Sequence, residues 1–196
     1  MAEAPIDTLQ EALIDAAENC FELRGVAKTT MSNVASTAGV SRTTLYKRFA
    51  VMEELLQAVF MREFDRFERR LQPRLEPLAD PAERLVEMVV STAENVPDNA
   101  GLAQLRAGPR SRTENMAWVA GRRALNARVE AMIGKPLDEL AAQGRLRQDV
   151  DRAGLVEWVR RVTNSLAVFP QPGERSSQSR REFVARFLLP AICLEK

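Results

Sequence analysis

Between Thr29 and Phe49 the chain reads TTMSNVASTAGVSRTTLYKRF, and its last third is dense in side chains that bind anions. Every residue from Ser41 to Arg48 except Leu45 is a cation or a hydroxyl: Ser41, Arg42, Thr43, Thr44, Tyr46, Lys47 and Arg48. Arginine and lysine reach guanine edges or phosphates, and Ser, Thr and Tyr hydroxyls suit phosphate oxygens and base edges. The surroundings keep that chemistry intact. Residues 1–22 hold six acids and no base, whereas Leu23 to Met52 hold five bases (Arg24, Lys28, Arg42, Lys47, Arg48) and no acid. The whole chain carries only +1, so the footprint for a polyanion is local.

Other chemistries are poorly provided for. Histidine is absent, which removes the commonest general base, the Ser-His and Cys-His pairings and the usual imidazole metal ligand. Glu53-Glu54 and Asp138-Glu139 are adjacent pairs and cannot face each other on a helix, so neither reads as an acid/base dyad. No metal-ligand cluster and no phosphate-cradling glycine loop occurs, so we expect no enzyme, no cofactor and no metal. Cys20 and Cys193 lack CxxC spacing and read as reduced thiols, Cys20 as a small core hydrophobe. With no basic leader followed by an apolar stretch, and no apolar run near the length of a spanning helix, the expectation is a cytoplasmic protein that makes no use of a membrane.

The elements that must hold the basic cluster are legible in its spacing. Thr30 caps a short helix whose inner side is Val34, Ala35 and Ala38. Gly39 supplies positive φ for a tight turn, and Val40 plugs it. Ser41 caps a second short helix with Leu45 and Phe49 facing inward and Arg42, Thr43, Thr44, Tyr46, Lys47 and Arg48 carried along it. A positioning helix, a glycine turn and a recognition helix make a helix-turn-helix, with the favourable field of a helix N-terminus added for an anion.

Helical periodicity continues along the rest of the chain, and the fold class is all-α. Apolar stripes run through Ile6–Cys20, closed by Gly25, and through Leu56–Leu71, closed by Pro73 and Pro77. A third stripe, Ala82–Ala93, is opened by Asp80-Pro81 and stops near Pro97; residues 98–112 read as loop. A long helix follows from Met116 to Ile133, kinked or broken at Pro136 before Leu137–Ala142. Two last helices cover about 151–169 and 179–194, with a polar linker, PQPGERSSQS, at 170–179. The boundary falls near residue 50, between a helix-turn-helix segment at 1–50 suited to DNA and a larger helical domain at 51–196.

Phe21-x-x-x-Gly25, Thr29-Thr30, Ala35-x-x-Ala38-Gly39-Val40-Ser41-x-x-Thr44-Leu45-Tyr46-x-x-Phe49 and Glu54-Leu55-Leu56 together resemble the DNA-binding domain of the tetracycline-repressor-like (TetR) transcriptional regulators, over roughly the first 60 residues. The resemblance implies a homodimer built through the last two helices, a palindromic double-stranded DNA operator, and a C-terminal domain whose small-molecule ligand releases the protein from DNA. It places Thr30, Thr44, Tyr46 and Lys47 at mostly phosphate-contacting positions, and Arg42 and Thr43 where base readout varies. After Phe49, Ala50-Val51-Met52-Glu53 lacks the customary lysine at the start of the fourth helix, so one phosphate contact per subunit is missing and binding is expected to depend less steeply on salt.

Outside this segment the expectations are looser. Arg62, Arg66, Arg69, Arg70 and Arg74 alternate with Glu63, Asp65 and Glu68 and read as a solvated helix face. Arg106, Arg110 and Arg112 lie in the irregular stretch, where loops often carry function, and are weaker candidates for meeting an anionic ligand. Phe60, Met88, Met116, Trp118 and Met132 are side chains of the kind that line an apolar effector pocket, and equally of the kind that fill a core. The expected function is a DNA-binding repressor released by a small molecule; the alternative is a regulator that is constitutive or controlled by a protein partner.

Overall fold

The computed structural model describes residues 8–95, 112–168 and 176–194, with no β-strand among them beyond one isolated bridge, between Leu146 and Cys193. The helices are α1 (Thr8–Arg24), α2 (Met31–Thr37), α3 (Arg42–Tyr46), α4 (Met52–Leu75), α5 (Pro81–Asn95), α6 (Arg112–Ala142), α7 (Arg152–Val168) and α8 (Ser177–Ile192). The fold is all-α. Described residues up to Asp65, with α6 up to Leu125, belong to one compact unit; those from Arg66 to Asn95 and from Asn126 onward belong to a second.

In the first unit, α1 buries Leu13, Ala17, Cys20 and Phe21 against Val34 and Ala35 of α2, Leu45 of α3, and Leu55, Leu56, Val59 and Phe60 of α4. α1 ends at Gly25, whose φ of 76° suits a residue without Cβ and whose N–H still donates to Phe21 O at 2.9 Å. The buried Thr29 hydroxyl then lies 3.2 Å from Cys20 O and 2.9 Å from Gly25 O, tying the end of α1 to the start of α2.

Arg62 departs from the solvated face expected of it. Its side chain is only 12% exposed, with Nε donating to Glu18 at 3.0 Å and Nη1 to Glu11 at 3.0 Å and Asp15 at 2.6 Å. Those acids recur on one face of α1 at spacings of four and three, so one guanidinium on α4 meets all three. Burial alone would lower the Arg62 pKa; the carboxylates, Glu18 foremost, outweigh it and the net shift is upward.

The second unit is built around α5, packed on α7 and α8 through Leu85, Val89 and Val90, Leu155 and Val159, and Val184, Leu188 and Ile192, with Ile133 and Leu137 of α6 added. Arg74 is exposed, as a solvated face requires, and its Nε also lies 2.8 Å from buried Glu87, which accepts from Ser91 at 2.8 Å and from Arg181 at 2.8 Å. Asp80 opens α5 as expected, accepting from the Ala82 N–H at 3.0 Å, and it also holds Arg145 through both oxygens at 2.8 and 3.1 Å.

Neither Pro73 nor Pro136 ends its helix. α4 runs through Pro73 to Leu75, since a proline in the last turn forfeits a single backbone bond. α6 is continuous through Pro136: Ile133, Leu137 and Leu140 are buried on both sides of it, and that packing outweighs the missing N–H. Ser177–Ser179, read as linker, form the first turn of α8, capped by the Ser176 hydroxyl at 3.2 Å from Ser179 N. Arg112 begins α6, while Arg106 and Arg110 lie outside the described residues.

Candidate nucleic-acid interface

The helix-turn-helix is assembled by short-range chemistry. Thr30 forms a capping box with Asn33, accepting from the Asn33 N–H at 3.2 Å while Asn33 Oδ1 accepts from the Thr30 N–H at 3.0 Å. α2 closes at Ala38, and Gly39 turns the chain at φ 68°. Val40 N–H returns to Ala35 O at 3.0 Å, and Ser41 caps α3 by accepting from Thr44 N–H at 3.1 Å. Leu45 is fully buried and Phe49 nearly so, so this two-point anchor fixes the rotation of a five-residue helix that would be marginal alone.

That rotation decides what faces solvent. Arg42, Thr43, Tyr46, Lys47 and Arg48 are exposed, as are Thr30 and Ser41, while Thr44 is half-buried with its hydroxyl 2.8 Å from Ser41 Oγ. Lys47 and Arg48 fall in the turn that ends α3, Lys47 keeping helical φ and ψ. Arg24, Lys28, Arg42 and Lys47 form no ion pair among the described residues, whereas three acids of α1 are occupied by Arg62. The cations therefore keep their field for an external anion. In place of the missing lysine, Ala50 donates its N–H to Glu54 at 2.7 Å, so Glu54 ties the entry to α4.

One residue of this face went unread in the sequence. Ser32, on the first turn of α2, accepts from Arg42 Nε at 2.9 Å and from Arg42 Nη2 at 2.5 Å. A serine ten residues before an arginine carries no local signal, and only the turn brings the two together.

The family description "Bacterial regulatory proteins, tetR family" matches residues 13–59. Over 185 residues, 93% of this chain and 84% of the relative, the sequence is 31% identical to the HTH-type transcriptional regulator Rv1255c of Mycobacterium tuberculosis. The chain belongs to the TetR family of transcriptional regulators. It is a DNA-binding helix-turn-helix regulator. Two solved structures share the fold of this TetR regulator. RolR in complex with resorcinol has a TM-score of 0.68 at 18% identity, covering 95% of this chain and 88% of that one. AibR in complex with isovaleryl coenzyme A and operator DNA has a TM-score of 0.59 at 18% identity, covering 93% and 98%.

The residues expected to line an effector pocket are dispersed. Met88 and Met132 come together in the second unit, on a cleft of about 520 Å³ whose charged lining is Arg69, Arg84 and Lys135 with Glu68 and Glu76. Phe60 sits in the core beneath the helix-turn-helix, 2% exposed. Met116 and Trp118 are on α6, but their side chains lie outside the described residues. No described group of three or more His, Cys, Asp or Glu is arranged to hold a metal, and no described helix is long and apolar enough to cross a membrane.

Proposed function

We propose that this regulator works as a homodimer in the cytoplasm, reading a palindromic operator through α3 and leaving it when a small molecule binds the helical domain, which makes it a repressor. The observation that carries the DNA reading is the orientation of α3: buried Leu45 and Phe49 behind it, Arg42, Thr43, Tyr46, Lys47 and Arg48 outward, and no acid among them. In this reading Arg42 and Thr43 meet base edges, and Thr30, Ser41, Thr44, Tyr46, Lys47 and Arg48 meet phosphates. DNA reading belongs to residues 1–50; regulation and dimerisation belong to 51–196.

Dimerisation is supported by α7 and α8, where Trp158 is 45% and Phe187 61% exposed and Val162, Leu166 and Phe183 are only partly buried, while Val159, Val184 and Leu188 fill the core. Large exposed apolar side chains on two late helices suit a second copy. A two-fold dimer reads half-sites about 34–36 Å apart or a multiple of that. The effector reading is supported by the cleft between α4, α5 and α6. Its volume is that of a small-molecule site, and its apolar walls meet three cations, Arg69, Arg84 and Lys135, against two acids, Glu68 and Glu76; Arg84 is paired with Glu139 through Nη2 and keeps a buried Nε without a hydrogen-bond partner. A molecule with an apolar body and one anionic group fits that chemistry. Resorcinol with RolR and isovaleryl coenzyme A with AibR support the taking up of a small molecule by the same fold.

Selection of bound duplexes from a random pool, at two salt concentrations, tests the reading. Palindromic enrichment is expected, with Tyr46→Ala weakening all sequences and Arg42→Ala relaxing particular positions. Enrichment of nothing by the wild-type protein refutes it. Release by no compound in a broad screen of apolar anions removes the effector and leaves a constitutive or partner-controlled regulator.

A further inference from the structure

The contact between Ser32 and Arg42 fixes more than a side-chain position. An arginine has five N–H donors in a rigid plane. Ser32 Oγ receives one from Nε at 2.9 Å and one from Nη2 at 2.5 Å, both on the same edge of the guanidinium. The adjacent edge, at the end of the guanidinium, with one proton each on Nη1 and Nη2, stays available in the same plane. Arg42 itself is exposed and has no carboxylate partner among the described residues, so nothing else competes for that edge.

Both ends of the contact are held. Ser32 lies in the first turn of α2, fastened by the Thr30–Asn33 capping box, and Arg42 is the first residue of α3, fastened by the Ser41 cap. We infer that Ser32 is a positioning residue for base specificity: it sets the guanidinium plane of Arg42 so that the free edge accepts a guanine, O6 and N7 together, in the major groove. This inference rests on the proposed reading of DNA by α3. It goes further in naming the base, the edge of the arginine that reads it and the residue outside α3 that directs it.

A fork–fork contact depends on both donors arriving coplanar with the base, so a freely rotating arginine loses discrimination more than it loses affinity. The wild-type protein should prefer guanine at one position of each half-site by roughly ten- to a hundredfold over the other bases. Ser32→Ala should cut that ratio by roughly two- to tenfold, the range of one net hydrogen bond. Ser32→Thr keeps the hydroxyl and should restore the ratio. In an Arg42→Ala background the guanine preference should be gone, and Ser32→Ala should change the ratio no further.

Titration of the selected operator and its three single-base variants at that position with the wild-type protein, the single variants and the double variant measures each ratio. Ser32 acting only in the packing of α2 would weaken every duplex alike and leave the ratio untouched; that outcome overturns the inference. Loss of guanine preference in Arg42→Ala with an unchanged ratio in Ser32→Ala refutes the role of Ser32 while leaving DNA reading by α3 standing. A wild-type protein that enriches no operator removes the underlying reading, and this inference with it.

Discussion

Replacing Arg62 with leucine removes one side chain from α4 and leaves three carboxylates of α1 without it. Breaking a buried ion pair by deleting one partner costs about 3–5 kcal/mol, which sets the ceiling. Glu11 and Asp15 are 46% and 63% exposed and rehydrate readily, so they add little. Glu18 is 19% exposed and regains only part of its hydration. Its share is about 2 kcal/mol, by the cost of taking a charged hydrogen-bond donor away from a half-buried carboxylate. Repulsion between acids four and three residues apart on one helix contributes a further ~0.2–0.5 kcal/mol per pair. The expected loss is therefore about 2–3 kcal/mol by these combined terms. Urea unfolding followed by helical circular dichroism measures it. Adding Glu18→Gln to Arg62→Leu should recover about half, because the costly group is then neutral, and a double-mutant cycle should show strong coupling. An Arg62→Leu protein within about 0.5 kcal/mol of wild type, the usual range of surface substitutions, refutes the buried cage, as does a double variant no more stable than the single.

Other consequences are equally open to measurement. Gly39→Ala meets no atom within 4 Å, so its cost is purely conformational, about 1–2 kcal/mol for a non-glycine residue at positive φ; a neutral result in urea unfolding contradicts the turn geometry. Leu45→Ala empties a fully buried site and should destabilise by about 2–5 kcal/mol, with operator affinity falling further than that of Leu23→Ala, an exposed control tested alongside it. Cys193 is half-buried, and burial pushes its thiol above the ordinary range, Arg145 opposing that in part. A raised pKa means scarce thiolate, so iodoacetamide should modify Cys193 more slowly than a free cysteine at pH 8 and accelerate only as the pH rises beyond the ordinary thiol value; equal rates at pH 8 count against the burial.

The parts of the fold legible in the sequence are those decided within a few residues. Thr30, Gly39 and Ser41 each act on neighbours at most five positions away, and Leu45 and Phe49 show their inward side by their spacing, so type and spacing sufficed for the helix-turn-helix. Arg62 was misjudged because its three partners lie 44, 47 and 51 residues before it, and alternating charge on its own helix offered a sufficient local account. Pro136 does not break α6, because a local rule met long-range packing: Ile133, Leu137 and Leu140 are buried on both sides of the proline, and the helix continues through it. The pairing of Ser32 with Arg42 was invisible for a third reason, since it depends on the path of a turn and the reach of a flexible side chain.

The division of labour in α3 has a consequence for how such a protein diversifies. Leu45, Phe49 and the caps hold the helix, while Arg42, Thr43 and Tyr46 hang into solvent and hold nothing in the core. Mutations at those outward positions are therefore close to free in stability, and drift can explore new target sequences without first crossing a valley of unfolded intermediates. A duplicated copy of the gene could acquire a separate regulatory circuit through a few substitutions on this one face. Arg42 is the partial exception, because a change there strands Ser32, and the two positions should drift as a pair.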